Sequence, residues 1–334
     1  MARVSRGLRR LISIPTLVLA FFVLVGLLPI LPLLAVIDGL RRRTGLPSVR
    51  LYAMALGFVV VDLVSVTALG WVGLTRWRHR DQWIERNIRI QLWWVEALAR
   101  GARRLADLRF VVSDPDGALE RGGVVALCRH VSYADAILPA LLFGVEQQVL
   151  LRYVLMSGLQ ADPALDIAAH RLPNHFVDRR PDDNTPELEA LRELASGIRD
   201  DAAGVIFPEG NFFSAKRLTR AVDHLDRTGS VFAGRAAKLR HVLPPRPGGA
   251  LALLEGAPAA DVAIIAHAGL ESFGSVLQLW RNLPLRKPVK VEVWRTRRSD
   301  IPGDPEGQRD WIFTQWERMD GWIDDQVDAV RDQT

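Results

Sequence analysis

Residues 11–37 contain no charged side chain, and Leu, Val, Ile, Phe and Pro fill most of the run. About 20 apolar residues suffice to cross a bilayer, so this stretch is long enough. A secretory signal would be shorter and would end in a small-residue cleavage site. A second apolar stretch, residues 51–75, has Asp62 as its one charge. The two are joined through Asp38-Gly39-Leu40-Arg41-Arg42-Arg43, and residues 1–79 read as a hairpin of two apolar helices. Arginine does not orient it. Arg3, Arg6, Arg9 and Arg10 precede the hairpin, Arg41, Arg42, Arg43 and Arg50 sit at its turn, and Arg76, Arg78 and Arg80 follow it. A two-pass hairpin gathers Arg on one side. Arg at every end fits better with two helices that dip into one leaflet, kinked by Pro15, Pro29 and Pro32. A full span is the alternative.

Residues 80–106 place Trp83, Ile84, Ile88, Leu92, Val95 and Leu98 at helical spacing. With Arg86, Arg89, Arg100, Arg103 and Arg104 on the same segment, it suits an amphipathic helix in a headgroup layer. A basic solvated face on a helix docked to the rest of the protein is the other reading. The chain has 43 Lys+Arg against 38 Asp+Glu, a net charge of +5. That excess is modest, and Arg beside apolar helices is explained by headgroups, which argues against a nucleic-acid module. A single cysteine excludes a disulfide framework and a thiolate zinc site, and no metal site is expected.

From residue 107 to 300 short apolar runs alternate with helical stretches. Residues 109–112, 123–127, 204–207, 261–266 and 290–294 read as strands, the second fully buried and the last half-exposed. Residues 185–198 and 228–240 read as helices. The expected architecture is α/β: a mixed sheet flanked by helices, with ligands at the carboxyl ends of its strands. Residues 301–334 read as a C-terminal helix. Asp304 suits its N-cap, and Ile312, Trp316, Met319, Ile323 and Val327 line one face toward the rest of the fold.

Two constellations carry chemistry. The first is Cys128-Arg129-His130-Val131-Ser132-Tyr133-Ala134-Asp135, where a histidine leaves a buried strand and an aspartate follows across a turn. The carboxylate can hold Nδ1–H and leave Nε2 as a base. Ser132 is a poor nucleophile, because no Gly-x-Ser-x-Gly elbow surrounds it. A structural histidine with a nearby carboxylate is the plainer reading of the octapeptide alone. The second is Phe207-Pro208-Glu209-Gly210-Asn211-Phe212-Phe213-Ser214-Ala215-Lys216-Arg217, a strand running into a turn that presents a carboxylate beside a glycine.

Together these blocks resemble the lysophosphatidic acid acyltransferase family (1-acylglycerol-3-phosphate O-acyltransferases) of glycerolipid acyltransferases. His130 and Asp135 match its His-four-residues-Asp motif, and Phe207 to Gly210 match Phe-Pro-Glu-Gly. Phe176-Val177-Asp178-Arg179 resembles the intervening block. The run from Lys238 to Gly249 is similar to the later Pro-containing block in the family's long-chain lysophospholipid branch. The resemblance implies acyl transfer from a coenzyme A or acyl-carrier-protein thioester to a glycerolipid hydroxyl, with no cofactor beyond that co-substrate. His130 would be the base, Asp135 its orienter, and Glu209 would position the acceptor or the turn. Arg179 would meet the acceptor phosphate, with Gly210, Asn211, Lys216 and Arg217 also on the substrate side. The implied setting is a bacterial inner or plasma membrane with the catalytic part on the cytoplasmic side, and the implied partners are membrane lipids. One departure matters: the family continues Glu-Gly-Thr-Arg-Ser, and Phe212 stands where its phosphate-binding arginine would be. Phenylalanine cannot replace a guanidinium fork. A membrane-anchored thioester or lysophospholipid hydrolase is the second reading, and a non-enzymatic membrane scaffold the third.

Overall fold

The computed structural model describes residues 5–41, 45–115, 117–120, 122–177 and 185–331. A seven-stranded mixed sheet runs in the order β1-β7-β6-β2-β5-β3-β4. Its strands are β1 (Phe110–Ser113), β2 (Val124–Cys128), β3 (Leu150–Met156), β4 (His175–Val177), β5 (Ala202–Ile206), β6 (Asp261–Ala268) and β7 (Val289–Thr296). Every residue of β2 and β5 is buried, as expected of small and branched side chains in parallel strands covered on both faces. The pairs β3–β5, β5–β2 and β2–β6 are parallel, so these four strands bring their carboxyl ends to one edge. β7 runs antiparallel to β6, and its burial alternates as its sequence does.

The chain divides into two compact units. The larger comprises Phe110–Val154, Val177–Ser275 and Pro288–Thr334. Its core joins Leu127, Val262, Ile264 and Trp294 of the sheet to Leu251, Leu253 and Leu254 of the helix Pro247–Gly256. The C-terminal helix Pro305–Arg331 adds Ile312, Trp316, Met319 and Ile323 to the same core, the face expected from its periodicity. Its first turn is capped by Asp304, whose Oδ1 accepts from Gly307 N at 2.7 Å.

One expectation is corrected, and two strands are added. The helix expected over 228–240 is instead Ala215–Arg227, capped by Ser214, followed by the single turn Ala233–Ala236. The reason is Gly229: it takes φ +64° just past the helix end, and Ser230 N reaches back to Leu225 O at 2.9 Å. β3 and β4 went unread, because Arg152 interrupts the apolar run of β3 and β4 has three residues.

The smaller unit comprises Met1–Arg109, Leu155–Phe176 and Val276–Lys287. Its helices are α1 (Arg6–Gly26), α2 (Leu31–Leu40), α3 (Pro47–Leu74) and α4 (Trp83–Ala106). The first apolar run is therefore broken, at the turn containing Pro29, while Pro15 lies inside α1. α1 and α3 are long and apolar enough to cross a membrane. Leu17 is the one buried residue of α1, and Leu11, Leu19 and Phe22 are more than 60% exposed.

Several arginines at the helix ends are engaged by protein. Arg9 and Arg10 both hold the buried Asp166 at 2.6 Å, and Arg50 donates to Leu105 O at 2.9 Å. α4 lies along α3, and Trp94 Nε1 donates to Asp62 Oδ1 at 2.7 Å, a polar contact inside an otherwise apolar helix.

Candidate active site

The site lies in the larger unit, where β2 ends. Cys128 is paired with Ile265 of β6, and Arg129 N extends the ladder to Ile265 O at 3.2 Å. Alternation then sends the side chains of Arg129 and His130 to opposite faces. Arg129 is buried; it donates to His267 O at 2.6 Å and His241 O at 2.9 Å, and pairs with Glu271 at 2.5 Å. His130 turns the other way, and its ring lies against Phe207 (4.5 Å between centroids) and Phe212 (4.4 Å).

The histidine is fixed at three points. Its N–H donates to Glu209 Oε1 at 2.8 Å, its carbonyl accepts from Phe213 N at 2.8 Å, and Nδ1 stands 3.3 Å from Asp135 Oδ2. Asp135 is held in turn. It accepts from Val131 N and Ser132 N on Oδ2, and from Ser132 Oγ on Oδ1 at 2.8 Å, at the start of the turn Tyr133–Ala136. His267 Nε2 lies 3.6 Å from its other side. Burial works against the Asp135 charge, but His267, His130 and the Ser132 N–H outweigh it and hold the carboxyl below its ordinary range. His267 itself is pushed down by burial. Ser132 Oγ is buried and already bonded, so it is not placed as a nucleophile.

Glu209 is 1% exposed, and both its oxygens are taken by backbone: His130 N on Oε1 and Leu243 N on Oε2, each at 2.8 Å. Burial pushes its carboxyl up to about 8, against the pull of those two N–H groups and of Arg129. It stitches the histidine loop to the 241–246 segment and touches no open space. Gly210 follows with φ +65°, the left-handed conformation that glycine adopts without steric cost. Asn211 is half-buried, and Lys216 and Arg217 are exposed on the first turn of the helix Ala215–Arg227. Arg217 Nη1 donates to Phe212 O at 2.8 Å. Phe212 itself packs edge-on against His130 and Tyr133, so the position expected to carry a phosphate-binding arginine is an aromatic wall. Arg179 falls outside the described residues.

Sequence reading missed Arg129, His267 and the backbone of Leu243. Arg129 left a trace, a charge at the end of a buried strand. For His267 the only hint was a polar ring at the end of β6; nothing local says that it meets Asp135.

An imidazole beside a buried carboxylate at the carboxyl edge of parallel strands can serve as a base, and no nucleophile stands beside it among the described residues. Residues 109–264 match the family model described as Acyltransferase, so the chain carries an acyltransferase domain over this segment. The agreement extends the resemblance of its motifs. Its fold is similar to the crystal structure of the 1-acyl-sn-glycerophosphate (LPA) acyltransferase PlsC from Thermotoga maritima. The TM-score is 0.54 at 13% identity, over 84% of this chain and 98% of that one. No curated protein matches the chain significantly.

Proposed function

We propose that the protein moves an acyl chain from acyl-CoA or an acyl-carrier-protein thioester to the free hydroxyl of a lysophospholipid, in phospholipid synthesis or remodelling. Lysophosphatidate is the default acceptor. The observation that carries this reading is the His130–Asp135 pair: Nδ1 faces the carboxylate, while Nε2 has no protein hydrogen bond among the described residues. With Nδ1–H donated to Asp135, Nε2 keeps its lone pair. It takes the hydroxyl proton as that oxygen attacks the thioester carbonyl. The C–S bond then breaks, and the departing sulfur receives the proton from the imidazolium. Arg179, Lys216 and Arg217 are the basic residues assigned to the acceptor side.

The reading includes a membrane surface, with the dipping hairpin as its form. α3 has 28 residues, about 42 Å at 1.5 Å each. Near its start, Ser48 Oγ accepts from Trp280 at 2.9 Å; toward its end, Leu69 O accepts from Arg171 at 2.7 Å. Among the described residues, no candidate span follows α3. Contacts with Trp280 at one end and Arg171 at the other support a helix that lies against the protein along its length, as in two helices dipping into one leaflet; a full span is the alternative. The bare apolar surface of α1 is the part left for lipid.

Purified protein offered labelled acyl-CoA and a panel of lysolipids, read by mass spectrometry, tests the chemistry. Diacyl product should appear only with lysolipid. His130→Ala should lose about 10²–10⁴-fold in rate, and Asp135→Asn most of the activity through the wrong tautomer. Free fatty acid released equally with and without lysolipid would establish a hydrolase instead.

A further inference from the structure

The acceptor reading leaves one question: what holds an anionic headgroup when position 212 is an aromatic wall. The segment after Leu243 answers it. Leu243 N is bound to Glu209, and three residues later Arg246 N donates to Pro208 O at 2.8 Å. These two bonds bracket Glu209 and pin Arg246 against the Pro-Glu-Gly turn. Its side chain lies over Gly210: a Cβ there would stand 3.6 Å from Arg246 Cδ, 3.8 Å from Nη1 and 3.9 Å from Nε. A residue without a side chain thus lies under the guanidinium.

That guanidinium is exposed and makes no hydrogen bond or ion pair among the described residues. Several other arginines of the same unit, though not all, are committed. Arg129 pairs with Glu271, Arg235 with Asp310 and Glu317, Arg240 with Asp324, and Arg217 donates to Phe212 O. A planar five-donor fork with no partner among the described residues, lying over the glycine that follows the carboxylate anchoring His130, is suited to bidentate binding of a phosphate.

We propose that Arg246 binds the phosphate group of the acceptor lipid, in place of the arginine that Phe212 displaces. The inference rests on the acyl-acceptor reading above and adds the residue that sets its headgroup preference. Phe212 closes the near side of His130, and the anion is drawn to the Gly210 side of the turn.

The test measures KM with three acceptors: a lysophosphatidate (monoester), a lysophosphatidylglycerol (diester) and an uncharged monoacylglycerol. Arg246→Gln should raise KM for the two phosphate-bearing acceptors about 10- to 100-fold, the range of a charged hydrogen bond lost. KM for the uncharged acceptor and for acyl-CoA should stay where they were. Arg246→Lys, which keeps the charge without the fork, should fall between. A KM rise shared equally by the uncharged acceptor, a rise confined to acyl-CoA, or no rise would overturn the assignment. Wild-type protein that hydrolyses thioester and acylates none of the three would instead overturn the acceptor reading itself. Thermal melting of each variant separates these outcomes from unfolding.

Discussion

Glu209 shows how much one residue's role depends on its surroundings. In the sequence it is a carboxylate offered at a strand end, and in the structure both its oxygens are bound by backbone N–H groups. Its elevated pKa makes this testable. The unfolded chain releases the Glu proton near 4.5, and the folded protein keeps it up to about 8. Within that window the native state binds more protons than the unfolded one, so stability falls as pH rises. Glu209→Gln should be flatter than wild type in Tm between pH 5 and 8. Parallel slopes for the two proteins would mean that the carboxyl is not held protonated. The same residue explains why His130 needs no further support from its own strand: its N–H is already engaged by Glu209, and its carbonyl by Phe213.

At the scale of elements, the arginines near the hairpin divide into two kinds. Arg9 and Arg10 converge on Asp166 in the short helix Pro163–Ala169, and Asp166 is fully buried while the arginine side chains keep 19% and 31% of their exposure. Arg41, at the end of α2, is exposed. Asp166→Ala should cost about 2 kcal/mol, because charged hydrogen bonds are lost but the arginines retain some water. Arg41→Ala should cost a few tenths of a kcal/mol, in the range of surface substitutions. Denaturation in detergent reads both, and equal losses would show that Asp166 does not tie α1 to that helix. The charge pattern along the sequence treats all these arginines alike. Only partners distant in the chain, such as Asp166, separate a structural arginine from one left at a surface.

For the whole molecule, the proposed attachment to one leaflet has a direct consequence. Arg50 near the start of α3 donates to Leu105 O at the end of α4, so Arg41 and Arg103 belong to the same end of the smaller unit. Cysteines introduced at Arg41, Arg103 and, separately, Arg78 should all react with an impermeant thiol reagent from one side of sealed vesicles. Cys128 is buried in β2, and Cys128→Ala removes it as background. Arg78 labelled from the opposite side would mean that α3 crosses the bilayer.

The apolar runs, the alternation of strands with helices, and the His-four-residues-Asp and Phe-Pro-Glu-Gly blocks are local patterns. Each depends on the periodicity or turn chemistry of a few neighbouring residues, and so the α/β class, the C-terminal helix face and the His130–Asp135 pair were legible in one dimension. The ends of elements were less so: the helix expected from residue 228 lies at Ala215–Arg227 instead, ending just before Gly229 takes φ +64°. The second imidazole behind Asp135, the backbone partners of Glu209 and the guanidinium over Gly210 arise from residues far apart in the chain. His130 and His267 meet one carboxylate because β2 and β6 pair in parallel, and Arg246 reaches the turn through a single backbone hydrogen bond to Pro208. Sequence spacing carries no record of such pairings, because burial and hydrogen bonding select them only once the sheet has formed.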